Sequence, residues 1–338
     1  MTSSTDYYPN RIRSRSLLHR MLGYATFFRP IRSSAILNFH SIRDIPATEA
    51  FTWTRSLTVT PAFLENLITE LRRRNIAIVS LAEALSRLGR HDSGSFVAIT
   101  LDDGYADNFH HAFPVFRQHH VPFTIFLTSG FIDRTMPMWW SVLEIIVRDY
   151  ECLYLPHAKM PARTLAEKNA ALIAGLRFFR GAKPAETMRL IEQMNVSYGG
   201  APLAEALEKP LTWDMLKSML RSGLATIGCH TANHPTFSRL DRGEIAGEIS
   251  AGRDCVALEL NVHPQFFAYP YGGDAEIGGE APAIVGELGF EAAFTTRRAV
   301  LDSSDLKTPY LLPRITMSGH HQHRAALSTY FLLAEHSW

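Results

Sequence analysis

Two runs that carry no charge, Phe96-Val97-Ala98-Ile99-Thr100-Leu101 and Phe123-Thr124-Ile125-Phe126-Leu127, stand on either side of a helical pattern over 108–119. Strands that are apolar on both faces belong in sheets covered on both sides, and strand-helix-strand alternation is the pattern of parallel sheets and barrels. The rhythm begins earlier. Residues 34–40 read as a buried strand ending in His40. Thr60-Pro61 gives an N-cap and a first helical position for a helix to about 74, with Phe63, Leu64, Leu67, Ile68 and Leu71 on one face. A short strand over 76–79 follows, then Ser80-Leu81-Ala82-Glu83, a capping-box pattern for a helix to 88. The rhythm returns at Thr212, with helices over 212–222, 242–260 and 281–288 and strands over 224–229, 266–269, 292–295 and 312–315. The fold class is therefore α/β, with functional residues expected at the carboxyl ends of strands.

Residues 138–210 break the rhythm. They hold helical patterns over 141–149, 165–179 and 184–195 and no obvious strand between 154 and 225, which reads as a helical insertion capping the site. Trp139 and Trp140 at its start could stack on a sugar ring, and a core role is expected for at least one. The 338 residues are divided into a basic extension (1–32), one domain (33–325) and a tail (326–338).

The strand over 96–101 ends in Asp102-Asp103-Gly104. Neighbouring side chains of a strand point to opposite faces, so the chain has to turn for both carboxylates to serve one site, and Gly104 is read as the turn. Two carboxylates in a cleft need a cation or hydrogen bonds to stay ionised. Candidate partners lie far downstream, in His230-Thr231-Ala232-Asn233-His234. One carboxylate and two imidazoles are a common ligand set for a catalytic zinc that keeps open positions, and the second carboxylate would then act on water. Taken singly, each piece also reads blandly: Asp-Asp-Gly as a solvated turn, His-x-x-x-His as one turn of an ordinary helix.

Charge and cysteine usage exclude other classes. A formal net charge of +1 gives no electrostatic case for nucleic acid. Cys152, Cys229 and Cys255 are too few and too irregular for a disulfide framework or a thiolate site, and Cys229 reads as a small apolar filler. Residues 17–28 are interrupted by His19, Arg20 and Gly23, too short and broken for a secretory or spanning segment, so a cytoplasmic location is expected. A basic amphipathic helix over 11–28 resting weakly on a membrane surface is the alternative to a helix packed on its own domain or a loose tail.

Three segments in order, Thr100-Leu101-Asp102-Asp103-Gly104, His230-Thr231-Ala232-Asn233-His234 and Tyr269-Pro270-Tyr271-Gly272, resemble the polysaccharide deacetylases with a nodulation protein B type domain, carbohydrate esterase family 4. The resemblance extends over 35–315 and includes a Thr-Trp-Asp entry to the helix before the histidines. It implies a distorted (β/α) barrel of about seven parallel strands and removal of acetyl groups from N-acetylated sugars with a divalent metal, usually zinc. It further implies that Asp103, His230 and His234 hold the metal, that Asp102 is the general base, and that the Tyr271 backbone N–H faces the oxyanion. Ala268 stands where many members have the arginine that orients the base, and Arg314 is taken as its substitute. The late Leu-x-His segment that supplies the general acid is not evident; the strand ending in His40 is similar to it, as in members with a circularly permuted barrel, so His40 is taken as the acid. His320, His321 and His323, the other candidates, read as a solvated loop. The expected substrate is an N-acetylglucosamine-containing oligo- or polysaccharide. The rivals are a hydrolase of a non-sugar amide on the same scaffold and an inactive carbohydrate-binding relative.

Overall fold

The computed structural model of the chain describes residues 33–90, 94–323 and 325–335. The extension 1–32, with its proposed amphipathic helix, lies outside them. Eight parallel strands form the main sheet: β1 (Ala35–Phe39), β2 (Ala77–Val79), β3 (Phe96–Leu101), β4 (Phe123–Leu127), β5 (Ala225–Cys229), β6 (Phe266–Ala268), β7 (Ala292–Phe294) and β8 (Ile315–Thr316). Seven of them run in the order β7-β6-β5-β4-β3-β1-β8, while β2 pairs with the first half of β3, below the point where β4 takes over that edge. Leu312, just before β8, makes a parallel bridge to Phe294 of β7, donating to the Ala293 carbonyl (2.9 Å) and accepting from Thr295 N (2.9 Å). Ile315 pairs with Leu37 of β1. The two ends of the curled sheet thus meet through residues 312–316, giving a distorted (β/α) barrel of seven strands.

Every residue of β1, β3 and β4 is buried, as uncharged strands covered on both faces require. Alternation sorts their side chains. Leu37, Phe39, Ile99, Leu101, Ile125 and Leu127 pack outward against helices such as Pro61–Arg73, whose buried Phe63, Leu64, Leu67, Ile68 and Leu71 form the expected face. Ile36, Ala98, Phe126, Phe266, Phe294 and Leu312 share a separate core on the other face of the sheet. Thr60 caps the helix Pro61–Arg73 as read from sequence; Ser80 caps the helix Leu81–Gly89 by accepting from Glu83 N.

Residues 131–206, between β4 and β5, build a second core around the helices Trp139–Asp149, Leu165–Arg180 and Pro184–Val196. Phe51 and Tyr105 from barrel loops are buried in it, so this layer lies over the carboxyl ends of the strands. Trp139 and Trp140 are both buried: Trp139 stacks on Phe179 (5.6 Å between ring centres) and Trp140 donates to the Tyr105 hydroxyl (2.7 Å).

Three sequence expectations change. An antiparallel hairpin, Cys152–Leu155 with Ala158–Pro161, occurs where no strand was read; its first strand buries only Leu153 fully and leaves almost no periodic signal. Part of the segment set apart as a tail is the helix Ala326–Glu335, with Ala326, Leu327, Tyr330, Phe331 and Ala334 in the outer core. The loop of His320 and His321 is half-buried, not solvated: Gly319 N donates to the Arg55 carbonyl (2.9 Å) and the Gln322 side chain accepts from Thr60 N (2.7 Å), clamping it onto residues 55–60. Burial there holds the His321 imidazole down to about 4.

Candidate active site

Asp102 continues the alternation of Ala98 and Thr100, and its carboxylate meets a cation rising from the opposite side of the closure. Arg314 Nη1 and Nη2 donate to Asp102 Oδ1 and Oδ2 at 2.7 and 2.8 Å, a parallel fork between two buried side chains. Arg314 Nε donates to the Thr295 carbonyl (2.9 Å) and the guanidinium lies over the Phe126 ring (5.5 Å), so its plane is fixed from three directions. Burial opposes ionisation of Asp102, but Arg314, helped by His230 and His40, outweighs it and holds the carboxyl below the ordinary carboxylate range.

Asp103 would follow the outward alternation if the strand continued. Instead it takes a left-handed backbone (φ 69°), followed by Gly104 at φ 81°. The turn therefore starts one residue earlier than the sequence suggested, and aspartate is among the few residues that tolerate this conformation. Asp103 Oδ1 lies 3.4 Å from His230 Nε2 and 3.3 Å from His234 Nε2. Against the cost of burial, hydrogen bonds to the two imidazoles pull its carboxyl well below the ordinary range.

His230 directly follows β5, and the next four residues form a loop, so His-x-x-x-His here does not mark a helical turn. Thr231 (φ 71°) and His234 (φ 56°) are both left-handed. Thr231 Oγ1 accepts from His234 N (2.9 Å), and the Glu248 carboxylate accepts from Asn233 N and Nδ2 (2.9 and 2.8 Å). His230 Nδ1 donates to the Ala268 carbonyl (2.7 Å), which orients the ring with Nε2 toward Asp103. The ligand atoms of Asp103, His230 and His234 lie within 4.8 Å of one another and all three residues are buried. A carboxylate oxygen with two imidazole nitrogens, one oriented from behind by a carbonyl, fits a divalent cation.

His40 follows β1 and helps to hold both carboxyls low. Its carbonyl accepts from Asn108 Nδ2 (2.8 Å), while its buried Nδ1 has no partner among the described residues. Tyr271 is left-handed (φ 62°) with its carbonyl accepting from Thr296 Oγ1 (2.9 Å), and its ring meets that of His234 at 4.7 Å. Four of the non-glycine residues with positive φ, Asp103, Thr231, His234 and Tyr271, thus sit at this one centre, each strained by about 1–3 kcal/mol.

Sequence reasoning missed Arg180 and Gly252 around this centre, and it read Trp140 for a sugar ring or the core, not for the contact it makes here. Trp140 packs edge-on against His234 (5.1 Å), and Arg180 lies over the Tyr271 ring (4.9 Å). Gly252 is closest of all: a Cβ there would stand 2.4 Å from the Thr231 carbonyl carbon, so only glycine lets the helix Arg242–Leu260 support the histidine loop. None of these carries a local motif. Cys229 is a buried filler whose thiol is pushed up to about 12 by burial.

A sequence model of polysaccharide deacetylases matches residues 89–293, more than half of the chain. The chain belongs to the polysaccharide deacetylase family. Polysaccharide deacetylases are hydrolases of carbon–nitrogen bonds other than peptide bonds, acting on acetylated saccharides with a metal, and the buried Asp103-His230-His234 group is where this deacetylase can bind one. No curated protein matches the deacetylase by sequence. Its fold is similar to that of the Streptococcus pyogenes deacetylase PplD, solved in complex with acetate (16% identity, TM-score 0.59, covering 91% of this chain and 100% of that one). It is also similar to IcaB from Ammonifex degensii (18%, 0.55, 89% and 98%) and to a de-N-acetylase from Aggregatibacter actinomycetemcomitans (14%, 0.55, 88% and 99%). Among the described residues no helix is long and apolar enough to cross a membrane.

Proposed function

We propose that the chain is a zinc-dependent deacetylase of N-acetylglucosamine-containing oligo- or polysaccharides. The observation that carries this reading is the adjacency of two differently equipped carboxylates: Asp103 faces two imidazoles, and Asp102 is forked by an arginine. A divalent cation held by Asp103, His230 and His234 supplies Lewis-acid polarisation of the acetyl carbonyl and acidifies water. Asp102, kept ionised and oriented by Arg314, accepts a proton from the attacking water as general base. The Tyr271 N–H, which donates to no group among the described residues, is available to the developing oxyanion. His40 gives a proton to the leaving amine nitrogen, and the sugar leaves as the free amine with acetate as co-product. A role for Arg314 in holding the base explains how a chain with Ala268 at the usual arginine position keeps the chemistry, which favours an active enzyme over a binding-only relative.

Acetate release from chitooligosaccharides tests the reading. Chelator should abolish release and added Zn2+ restore it. Asp102→Asn should lower turnover by about 10^2 to 10^4-fold while metal content is unchanged, the range for loss of a general base. His230→Ala should lose the metal. Release by Asp102→Asn at the parent rate would remove Asp102 from the base role, and release only from non-sugar amides would remove the saccharide.

A further inference from the structure

Arg180 closes the helix Leu165–Arg180 of the helical layer and reaches back over the site. Its guanidinium lies over two aromatic rings, Tyr271 at 4.9 Å and Trp53 at 5.8 Å, and Tyr271 in turn touches His234. The end of its helix is pinned beside the histidine loop, where the Arg180 carbonyl accepts from Thr236 Oγ1 (2.7 Å). Trp53 is held from the same helix, because Asn169 accepts from Thr52 N (2.8 Å). A cation is thus fixed between two rings, two ring contacts from His234, on the side that covers the barrel mouth.

The fixed cation is poorly compensated. Its ion-pair partner, Glu276, stands 3.8 Å from Nη1, outside hydrogen-bond distance, and the Arg180 side chain keeps 37% of its surface exposed. Two neighbouring buried donors, Arg180 Nε and Trp53 Nε1, have no acceptor among the described residues. Buried donors are ordinarily satisfied, and a guanidinium on aromatic faces, already restricted in its rotamers, loses little further freedom on binding. Sugar hydroxyls would satisfy donors but leave the charge; a carboxylate or phosphate answers both, by the paired N–H···O geometry that guanidinium favours.

We propose that Arg180 recognises an acidic group, carboxylate or phosphate, carried by the saccharide close to the N-acetylated sugar. The substrate class is then acidic N-acetylated glycans, a proposal that rests on the saccharide deacetylase reading above. Trp53 and Tyr271 hold the guanidinium, and Glu276 competes with the ligand for it.

The test is equilibrium binding to the zinc-loaded enzyme with matched probes, with acetate release followed in parallel. Chitotetraose is compared with the hyaluronan tetrasaccharide, which carries glucuronate, and N-acetylglucosamine with N-acetylglucosamine 1-phosphate. The wild type should bind at least one acidic probe about tenfold or more tightly than its neutral match, and which pair shows the gain tells carboxylate from phosphate. Arg180→Gln should lose that gain and leave neutral probes within about twofold. Arg180→Lys should keep part of it, and Glu276→Gln should tighten acidic probes. Equal binding of acidic and neutral probes, binding of neither, or an equal loss on both in Arg180→Gln would overturn the proposal, the last by making Arg180 a clamp between layers. Acidic binding that obeys these expectations with no acetate released would leave Arg180 in its role and sink the deacetylase reading instead.

Discussion

Two groups of acids sit near the carboxyl ends of the barrel strands, one buried and one half-buried, and they are compensated in opposite ways. In the candidate active site, Asp102 and Asp103 face Arg314 and two histidines and stay ionised. In the adjoining cleft, a cavity of about 200 Å3 between the barrel loops and the helical layer, Asp107 and Glu144 line the wall and are half-buried. There burial wins, and both carboxyls are raised above their ordinary values. The difference lies in where the cations are committed. Arg148 is tied to Glu49, Asp149 and Glu205, and Arg43 pairs with Glu49 at 2.8 Å but reaches Asp107 only at 4.0 Å. Asp107 is left with neutral donors, Ser41 Oγ at 2.6 Å, Ile42 N at 3.0 Å and Asn108 Nδ2 at 2.9 Å, and Glu144 with the Thr54 hydroxyl. Proximity of carboxylates to the barrel mouth therefore does not make a charged site; an unshared cation does.

The strongest way to break the contrast is to make the centre resemble the cleft. Arg314→Met leaves the Asp102 carboxyl buried without its fork, and loss of one partner of a buried pair costs about 3–5 kcal/mol. The sign with pH follows from the direction of the shift. Because the folded carboxyl of Asp102 is depressed, it contributes stability that is present above the unfolded carboxylate value and lost as pH falls through the folded one. Arg314→Met should reverse that contribution, and Asp102→Asn placed on top of it should recover much of the loss, both read from denaturant midpoints. An unchanged midpoint in Arg314→Met would mean that the ion pair contributes nothing net.

A smaller effect is expected at the scaffold under the histidines. Gly252→Ala places a methyl against the Thr231 and Ala232 backbone and should displace the loop carrying His234. Overpacking of this kind costs about 1–3 kcal/mol, and disturbance behind a ligand weakens metal binding by about 10 to 100-fold. Zinc affinity by competition with a chromogenic chelator measures it. Parent-like affinity would show that the loop holds its shape without the glycine contact.

Gly252 also marks what a sequence read alone could carry. The uncharged strands, the caps at Thr60 and Ser80 and the acidic pair after β3 were legible because each is a local pattern of residue types. The meeting of Asp103 with His230 and His234 was legible only through the joint presence of three segments. Arg180 and Gly252 were not, since nothing next to them in the chain signals a role, and Trp140 was singled out only for a sugar ring or the core, not for its contact with His234; their meaning comes from helices of the capping layer and of the barrel wall reaching the same loop. The helix Ala326–Glu335 was passed over because an almost uniformly apolar segment without caps gives no face to read.

The cleft supplies the mildest test. Glu144 has a folded carboxyl value above its unfolded one, so its contribution to stability is fully present below the unfolded value and is lost as pH rises through the folded value. Glu144→Gln keeps an acceptor for the Thr54 hydroxyl and removes the titration. Melting temperatures of the two proteins, compared from about pH 4 to about pH 8, the span over which a raised carboxyl titrates, should therefore diverge with the glutamine variant gaining as pH rises. A parallel pair of curves would mean that Glu144 carries the same proton in folded and unfolded chains. In that case a hydroxyl donor compensates a half-buried carboxylate as well as Arg314 does a buried one, and the contrast between the two acid groups would rest on Asp107 alone.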